Sequence, residues 1–143
     1  MPLSKTDYIW MDGELVNWDD ANIHVLTHTL HYGCGVFEGI RAYATSAGAG
    51  VFRLTDHINR LFDSAKIFLI DIPFSRAQLV EAVKQTVAAN KLSECYIRPI
   101  VYLGYGEMGL LTLNCEVKVA IAVWPWGAYL GEEGIEKGVR VMI

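Results

Sequence analysis

The chain has 143 residues, 52% of them hydrophobic and 20% charged, with a formal net charge of −4; that length fits one domain, and that balance excludes both a disordered chain and a basic nucleic-acid footprint. No apolar run is long enough to cross a bilayer, the N-terminus lacks a signal peptide's apolar core, and three cysteines without a CxxC fit a reducing cytosol better than a disulfide framework. The surplus of apolar side chains predicts a surface covered by another domain or another subunit.

Tyr8–Met11 and residues 14–18 flank Asp12-Gly13 and predict a tight hairpin. Residues 23–26 suggest a further strand. Residues 36–43 predict another, entered through Gly33 and Gly35; residues 45–50 read as a turn and 51–54 as the strand pairing back. Thr55 or Asp56 then caps a helix whose apolar stripe is Ile58, Leu61, Phe62, Ala65, Phe68 and Leu69, stopped by Pro73. Ser75 caps a second helix with the stripe Leu79, Val80, Val83 and Val87, and Asn90 near its end. Strands return over 95–103 and over 116–124, where Val117, Val119, Ile121 and Val123 share a face. Residues 138–143 look like the start of one more. Strands, two helices and strands again define an α+β fold, with two helices on one side of a mostly antiparallel sheet. Ending inside an apolar strand, the chain reads as the front part of a longer protein.

His24, His28 and His31 lack a carboxylate or cysteine in register to complete a metal site, so hydrogen-bonded turn histidines are the better reading. Alternation on 36–43 puts Phe37, Gly39, Arg41 and Tyr43 on one face. Gly39 leaves a gap through which a ligand could reach the backbone; a bulge or simple packing is the alternative. On 95–103, Tyr96, Arg98, Ile100 and Tyr102 share a face. Two strands that each offer aromatic rings and an arginine, Arg41 and Arg98, suggest a pocket for an organic acid with an apolar tail, because guanidinium grips carboxylate with two parallel hydrogen bonds; an arginine on a wet sheet face is the alternative. Gly104, Gly106 and Gly109 make a glycine-rich loop that is not a P-loop. Trp124, Trp126 and Tyr129 cluster around Pro125 and Gly127, to plug a core or wall a pocket. Arg60 lies off its helix's apolar stripe, and helical geometry alone makes it a solvated surface residue.

The segments YIWMDGELVNWDDANIHV, HTLHYGCGVFEGIRAY, HINRLFDSAKI, YIRPIVYLGYGEMG and PWGAYLG, in that order and nearly end to end, resemble class IV pyridoxal-phosphate aminotransferases, most closely the bacterial branched-chain group. The resemblance implies a two-domain enzyme in which residues 1–130 form the small N-terminal α+β domain and 131–143 begin the connection to a C-terminal cofactor domain. It implies transfer of the amino group of leucine, isoleucine or valine to 2-oxoglutarate, with pyridoxal 5'-phosphate as cofactor. Arg60 would then bind the cofactor phosphate, reversing the helix-face reading. Phe37, Trp126 and Tyr129 would wall the side-chain pocket beside Gly39, Tyr96 would bond the substrate carboxylate region, and Arg98 would meet the distal carboxylate of glutamate.

Tyr32, Met108 and Leu110 resemble elements that reach a neighbouring subunit's site, in a cytoplasmic homodimer or trimer of dimers. The Schiff-base lysine is expected beyond Ile143, since none of Lys5, Lys66, Lys84, Lys91, Lys118 and Lys137 lies in the family's motif; the chain by itself is then inactive. The other readings are a D-amino acid or aromatic aminotransferase, an aminodeoxychorismate lyase, or a non-catalytic truncated association module.

Overall fold

In the computed structural model, which describes residues 3–126, 137, 138 and 140–142, β1 (Tyr8–Met11) and β2 (Glu14–Asn17) form the expected hairpin. Asp12 and Gly13 take φ of 49° and 110°, the two positive values a two-residue loop between twisted strands requires. Asp12 also fastens the hairpin to the sheet. Its N–H donates to Val119 O (2.9 Å), and its carboxylate accepts from Val119 N (2.8 Å).

Residues 23–26 form no strand. Their hydrogen bonds close a local turn instead, with Leu26 N donating to His24 Nδ1 (3.1 Å) and Thr27 N to His24 O (2.9 Å). A short helix, α1 (His28–Tyr32), follows and ends on Gly33 at φ 71°.

The strand expected over 36–43 is present as two collinear pieces, β3 (Gly35–Phe37) and β4 (Ile40–Thr45). Both pair with β6 (Cys95–Leu103) in one register, Phe37 opposite Ile100 and Ile40 opposite Ile97. The interruption falls opposite Pro99. Glu38 N still donates to Pro99 O (3.0 Å), but a proline has no N–H to return, so the ladder lapses there. The inside-outside alternation survives: Val36, Glu38, Ile40 and Ala42 are buried, while Phe37, Gly39, Arg41 and Tyr43 are more exposed. The returning strand β5 is Gly48–Val51, not 51–54, because Thr45 Oγ1 donates to Gly48 O (2.7 Å) and closes the turn early.

The first long helix, α2 (Leu54–Ile67), starts without a side-chain cap. Arg53 stands before it at φ 46°, and Asp56 accepts from Arg53 Nε (2.7 Å) instead of capping. It also ends sooner than its stripe suggests. Leu69 turns left-handed (φ 55°), Ile70 N bonds back to Ala65 O (2.9 Å), and Phe68 and Leu69 face solvent. The inward residues are Leu54, Ile58, Leu61 and Ala65. The second helix, α3 (Arg76–Ala89), carries the Ser75 cap as expected, in a reciprocal box with Gln78.

Asn90 holds the start of the chain against the end of α3. Its Oδ1 accepts from Asp7 N and Tyr8 N (2.8 Å each), and its Nδ2 donates to Tyr8 O (3.0 Å) and Thr86 O (2.8 Å). Asn90→Ala strands these backbone groups and is expected to cost about 2–3 kcal/mol, read as a lower urea midpoint with an unchanged slope.

With β7 (Val117–Trp124), the strands form one antiparallel sheet in the order β2-β1-β7-β6-β4-β5, β3 extending β4 along β6. As expected, α2 and α3 cover one face, over Trp10, Val36, Ile40, Ile97, Val101, Val119, Ile121 and Val123. On the other face, Thr27, Thr29 and Leu30 of the α1 region line an apolar groove with Ile9, Met11, Ile100 and Tyr102. Residues 138 and 140–142 carry no strand; 139 and 143 lie outside the described residues. Among the described residues, no helix is long and apolar enough to cross a membrane.

Candidate functional site

Odd-numbered residues of β3–β4 and even-numbered residues of β6 and β7 point away from the two long helices, and there the aromatic and arginine side chains meet. Arg98 lies across Phe37, its Cζ 4.2 Å from the ring centroid, and its Nη2 donates to Tyr96 Oη at 2.8 Å. Tyr96 packs against Trp124 (centroids 5.0 Å apart) and Trp126 (4.4 Å). Arg41, Tyr96, Arg98 and Trp126 line a pocket of about 350 Å³. The Nε atoms of Arg41 and Arg98 are buried without a hydrogen-bond partner, so Arg98 is not the solvated arginine of a wet sheet face. Two guanidinium groups with unused donors among four aromatic rings suit a ligand that is part hydrocarbon and part anion.

Gly39 answers to a close approach, made by the protein itself. A Cβ there would collide with Tyr96 Oη, so the missing side chain is what lets Tyr96 lie in the pocket. Tyr129, also expected at this wall, lies outside the described residues.

On the opposite face of the same strand, Glu38 is 4% exposed. Its carboxylate accepts from Arg60 Nε (2.7 Å) and Nη2 (2.6 Å) and from His57 Nδ1 (2.8 Å). Arg60 is largely exposed, as its helix face predicts, yet its guanidinium is held on one edge. An open hollow of about 330 Å³ is lined by Phe52, Arg53, Asp56, His57 and Arg60.

Burial by itself raises the Glu38 carboxyl, but the hydrogen bonds and charges of Arg60 and His57 more than offset this and leave it below the ordinary 4.5. With a folded value below the unfolded one, its contribution to stability is complete above the usual carboxylate range and disappears as pH falls through the lower folded value. Acid titration of stability should therefore show a component below pH 4.5 that Glu38→Gln removes; identical acid profiles for the two proteins would contradict this.

Tyr32, Met108 and Leu110 are exposed, with Leu30, Leu111 and Leu113 exposed near them in sequence. One buried histidine ties the first two regions together: His28 stacks on Tyr32 (4.5 Å) and its Nε2 donates to Gly109 O (2.8 Å). His31 Nε2 donates to Val25 O (2.8 Å), so the histidines of this segment are hydrogen-bonded as expected. Gly106 and Gly109 take φ of 140° and 138° in the intervening loop. Glu38 and His57 were missed by sequence reasoning, whereas Arg41 lines the pocket as expected from two strands that each offer an aromatic ring and an arginine. A carboxylate at an inward position between Val36 and Ile40 was the available signal for Glu38, since such a group needs a buried partner.

Solved structures reproduce the arrangement of strands and helices. The Escherichia coli branched-chain amino acid aminotransferase superposes with a TM-score of 0.90 at 47% identity, over 94% of this chain and 44% of that one. A second branched-chain amino acid aminotransferase, that of T.th., was solved with pyridoxamine 5'-phosphate and gives 0.85 at 46% identity, over 90% of this chain and 43% of that one. The fold is thus an α+β unit of the kind found in these transferases. The amino-transferase class IV family matches residues 35–142, and the chain belongs to that family. The curated branched-chain-amino-acid aminotransferase of Pseudomonas aeruginosa is 55% identical over 133 residues, 93% of this chain and 43% of the relative. The chain spans less than half the length of these relatives.

Proposed function

We propose that the protein carrying this chain is a pyridoxal-phosphate-dependent branched-chain aminotransferase, exchanging an amino group between leucine, isoleucine or valine and 2-oxoglutarate. The observation that carries the reading is Arg98, laid on Phe37 and bonded to Tyr96 inside an aromatic pocket. An aliphatic side chain can lie against Phe37 and Trp126. A glutamate side chain can use the same walls and reach the guanidinium. One site then serves both halves of the exchange.

The residues present fit the cofactor. Glu38 occupies the Nε–Nη2 edge of Arg60, which leaves the other edge of the fork for a phosphate at the hollow. When bound, pyridoxal phosphate supplies the carbonyl that takes up the amino group and the ring that accepts the electron pair freed at Cα. On this chain Arg60 would anchor the phosphate end, Tyr96 would donate a hydrogen bond at the substrate carboxylate region, Arg98 would meet a distal carboxylate, and Phe37 and Trp126 would exclude water around the side chain, with Tyr129 assigned to the same wall by the family resemblance alone. The proton-moving lysine is placed in a cofactor domain reached through residues 131–143. Lys118 is unsuited to that part: its hydrogen bond to Glu116 (2.6 Å), with Asp12 at 3.6 Å, raises its pKa and keeps it an ammonium.

Residues 1–130 serve as the small domain. Subunits pair through the surface carrying Tyr32, Met108 and Leu110, as a dimer or trimer of dimers in the cytoplasm; the exposed leucines beside them support this. The test is a rate comparison of the protein on leucine and on D-alanine with 2-oxoglutarate. Leucine turnover far above D-alanine is the expected result, and preference for D-alanine overturns the reading. Borohydride reduction with pyridoxal phosphate should label none of the six lysines of this chain.

A further inference from the structure

We infer that Glu38 is a positioning residue for phosphate binding, holding Arg60 and His57 in the arrangement that receives the cofactor's phosphate. The inference rests on the role proposed for Arg60. An arginine on the exposed face of a helix has many rotamers open to it. Here its Nε and Nη2 lie 2.7 and 2.6 Å from the two oxygens of one carboxylate, a fork-to-fork pair that fixes the guanidinium plane. The carboxylate springs from a main chain fixed by the bond from Glu38 N to Pro99 O, and the residue is buried. His57 is held as well. An ionised carboxylate only accepts, so His57 Nδ1 carries the proton toward Glu38. Both partners line the hollow beside α2.

A purely structural role explains the residue poorly. Glu38 occupies an inward position between Val36 and Ile40, where an apolar side chain would pack without desolvating a charge, and replacing a buried ion pair by apolar groups is often neutral or stabilising. Its negative charge also works against a nearby phosphate. Orientation and charge therefore predict opposite results when Glu38 is neutralised. If charge governs, Glu38→Gln strengthens phosphate binding. If positioning governs, it weakens binding although the hollow has become more positive.

The experiment uses the cofactor-free form of the full protein and measures the Kd of pyridoxal 5'-phosphate, of pyridoxal, and of inorganic phosphate as a competitor. Glu38→Gln is expected to weaken pyridoxal phosphate and inorganic phosphate about tenfold or more, the scale of one charge-assisted hydrogen bond, while pyridoxal stays within about twofold. A loss that only reflects a damaged fold lowers both cofactor forms alike. Glu38→Asp keeps the charge but withdraws the carboxylate by one methylene; it should show the same selective loss and serves if the glutamine variant does not fold. Arg60→Ala separates the two readings. If it fails to discriminate pyridoxal phosphate from pyridoxal, the role of Arg60 falls, and this inference with it. If Arg60→Ala discriminates but the Glu38 variants leave phosphate affinity unchanged or improved, Arg60 keeps its role and the positioning role of Glu38 is wrong.

Discussion

Arg98→Ala is expected to lower kcat/KM for glutamate by about 30- to 100-fold while leaving leucine within about threefold. The asymmetry follows from what the guanidinium offers each substrate. To a γ-carboxylate it gives charge-assisted hydrogen bonds from the wall of the pocket it lines with Arg41, Tyr96 and Trp126. To an isobutyl group it presents only the flat surface of a cation already stacked on Phe37. The small loss for leucine comes from Tyr96, which no longer receives a hydrogen bond from Arg98 Nη2. Arg98→Lys keeps the charge but not the planar fork, and should fall between wild type and alanine for glutamate. Equal losses on the two substrates would remove the assigned role and leave Arg98 as a packing residue.

The second large effect is expected from a single methyl group. Gly39→Ala meets no backbone obstacle, since Gly39 is not among the residues with positive φ. The difficulty is the collision of its Cβ with Tyr96 Oη. Tyr96 cannot easily step aside, because Trp124 and Trp126 flank its ring and Arg98 holds its hydroxyl. The variant should lose about 1–3 kcal/mol of stability and about 100-fold in kcat/KM for leucine and glutamate alike, as an estimate for a displaced binding group. Tyr96→Phe deletes the colliding atom and leaves the ring carbon at 3.2 Å as the nearest neighbour, a contact that a small shift relieves. The double variant should therefore behave like Tyr96→Phe alone. Additive losses, or an alanine at position 39 without effect, would show that the pair is not coupled.

The parts legible in the sequence were those set by short-range patterning. The Asp12-Gly13 hairpin, the Ser75 cap, the strands over 95–103 and 116–124 and the paired faces carrying Phe37 and Arg98 all follow from alternation and turn chemistry, and the structure has them. Elements set by competition between local hydrogen bonds were not legible. Residues 23–26 have strand-like composition, but Leu26 N and Thr27 N donate to His24 and close a turn there. The stripe of α2 extends in sequence to Leu69, yet a left-handed closure at that residue turns it outward. Arg60 shows both sides. Helical geometry gave its exposure correctly, and no helical pattern could show that a carboxylate 22 residues earlier grips it across the sheet edge. Pro99 was in view as part of YIRP, but its effect on the facing strand depends on a register that one strand does not reveal.

That register carries a consequence for how this stretch can change over evolutionary time. Glu38 and Gly39 are adjacent in sequence and serve opposite faces of one sheet, the first under the hollow beside α2 and the second under Tyr96. Substitutions can alter either face separately; changes of length cannot. With β4 held by its hairpin to β5, in-frame loss of the Gly39 codon alone would move Glu38 into the outward position, setting its carboxylate against Tyr96 and Arg98 and leaving Arg60 without a partner. Both arginine clusters would be disrupted through one missing glycine. The number of residues between Val36 and Ile40 is therefore constrained by its parity, apart from any chemistry those residues perform.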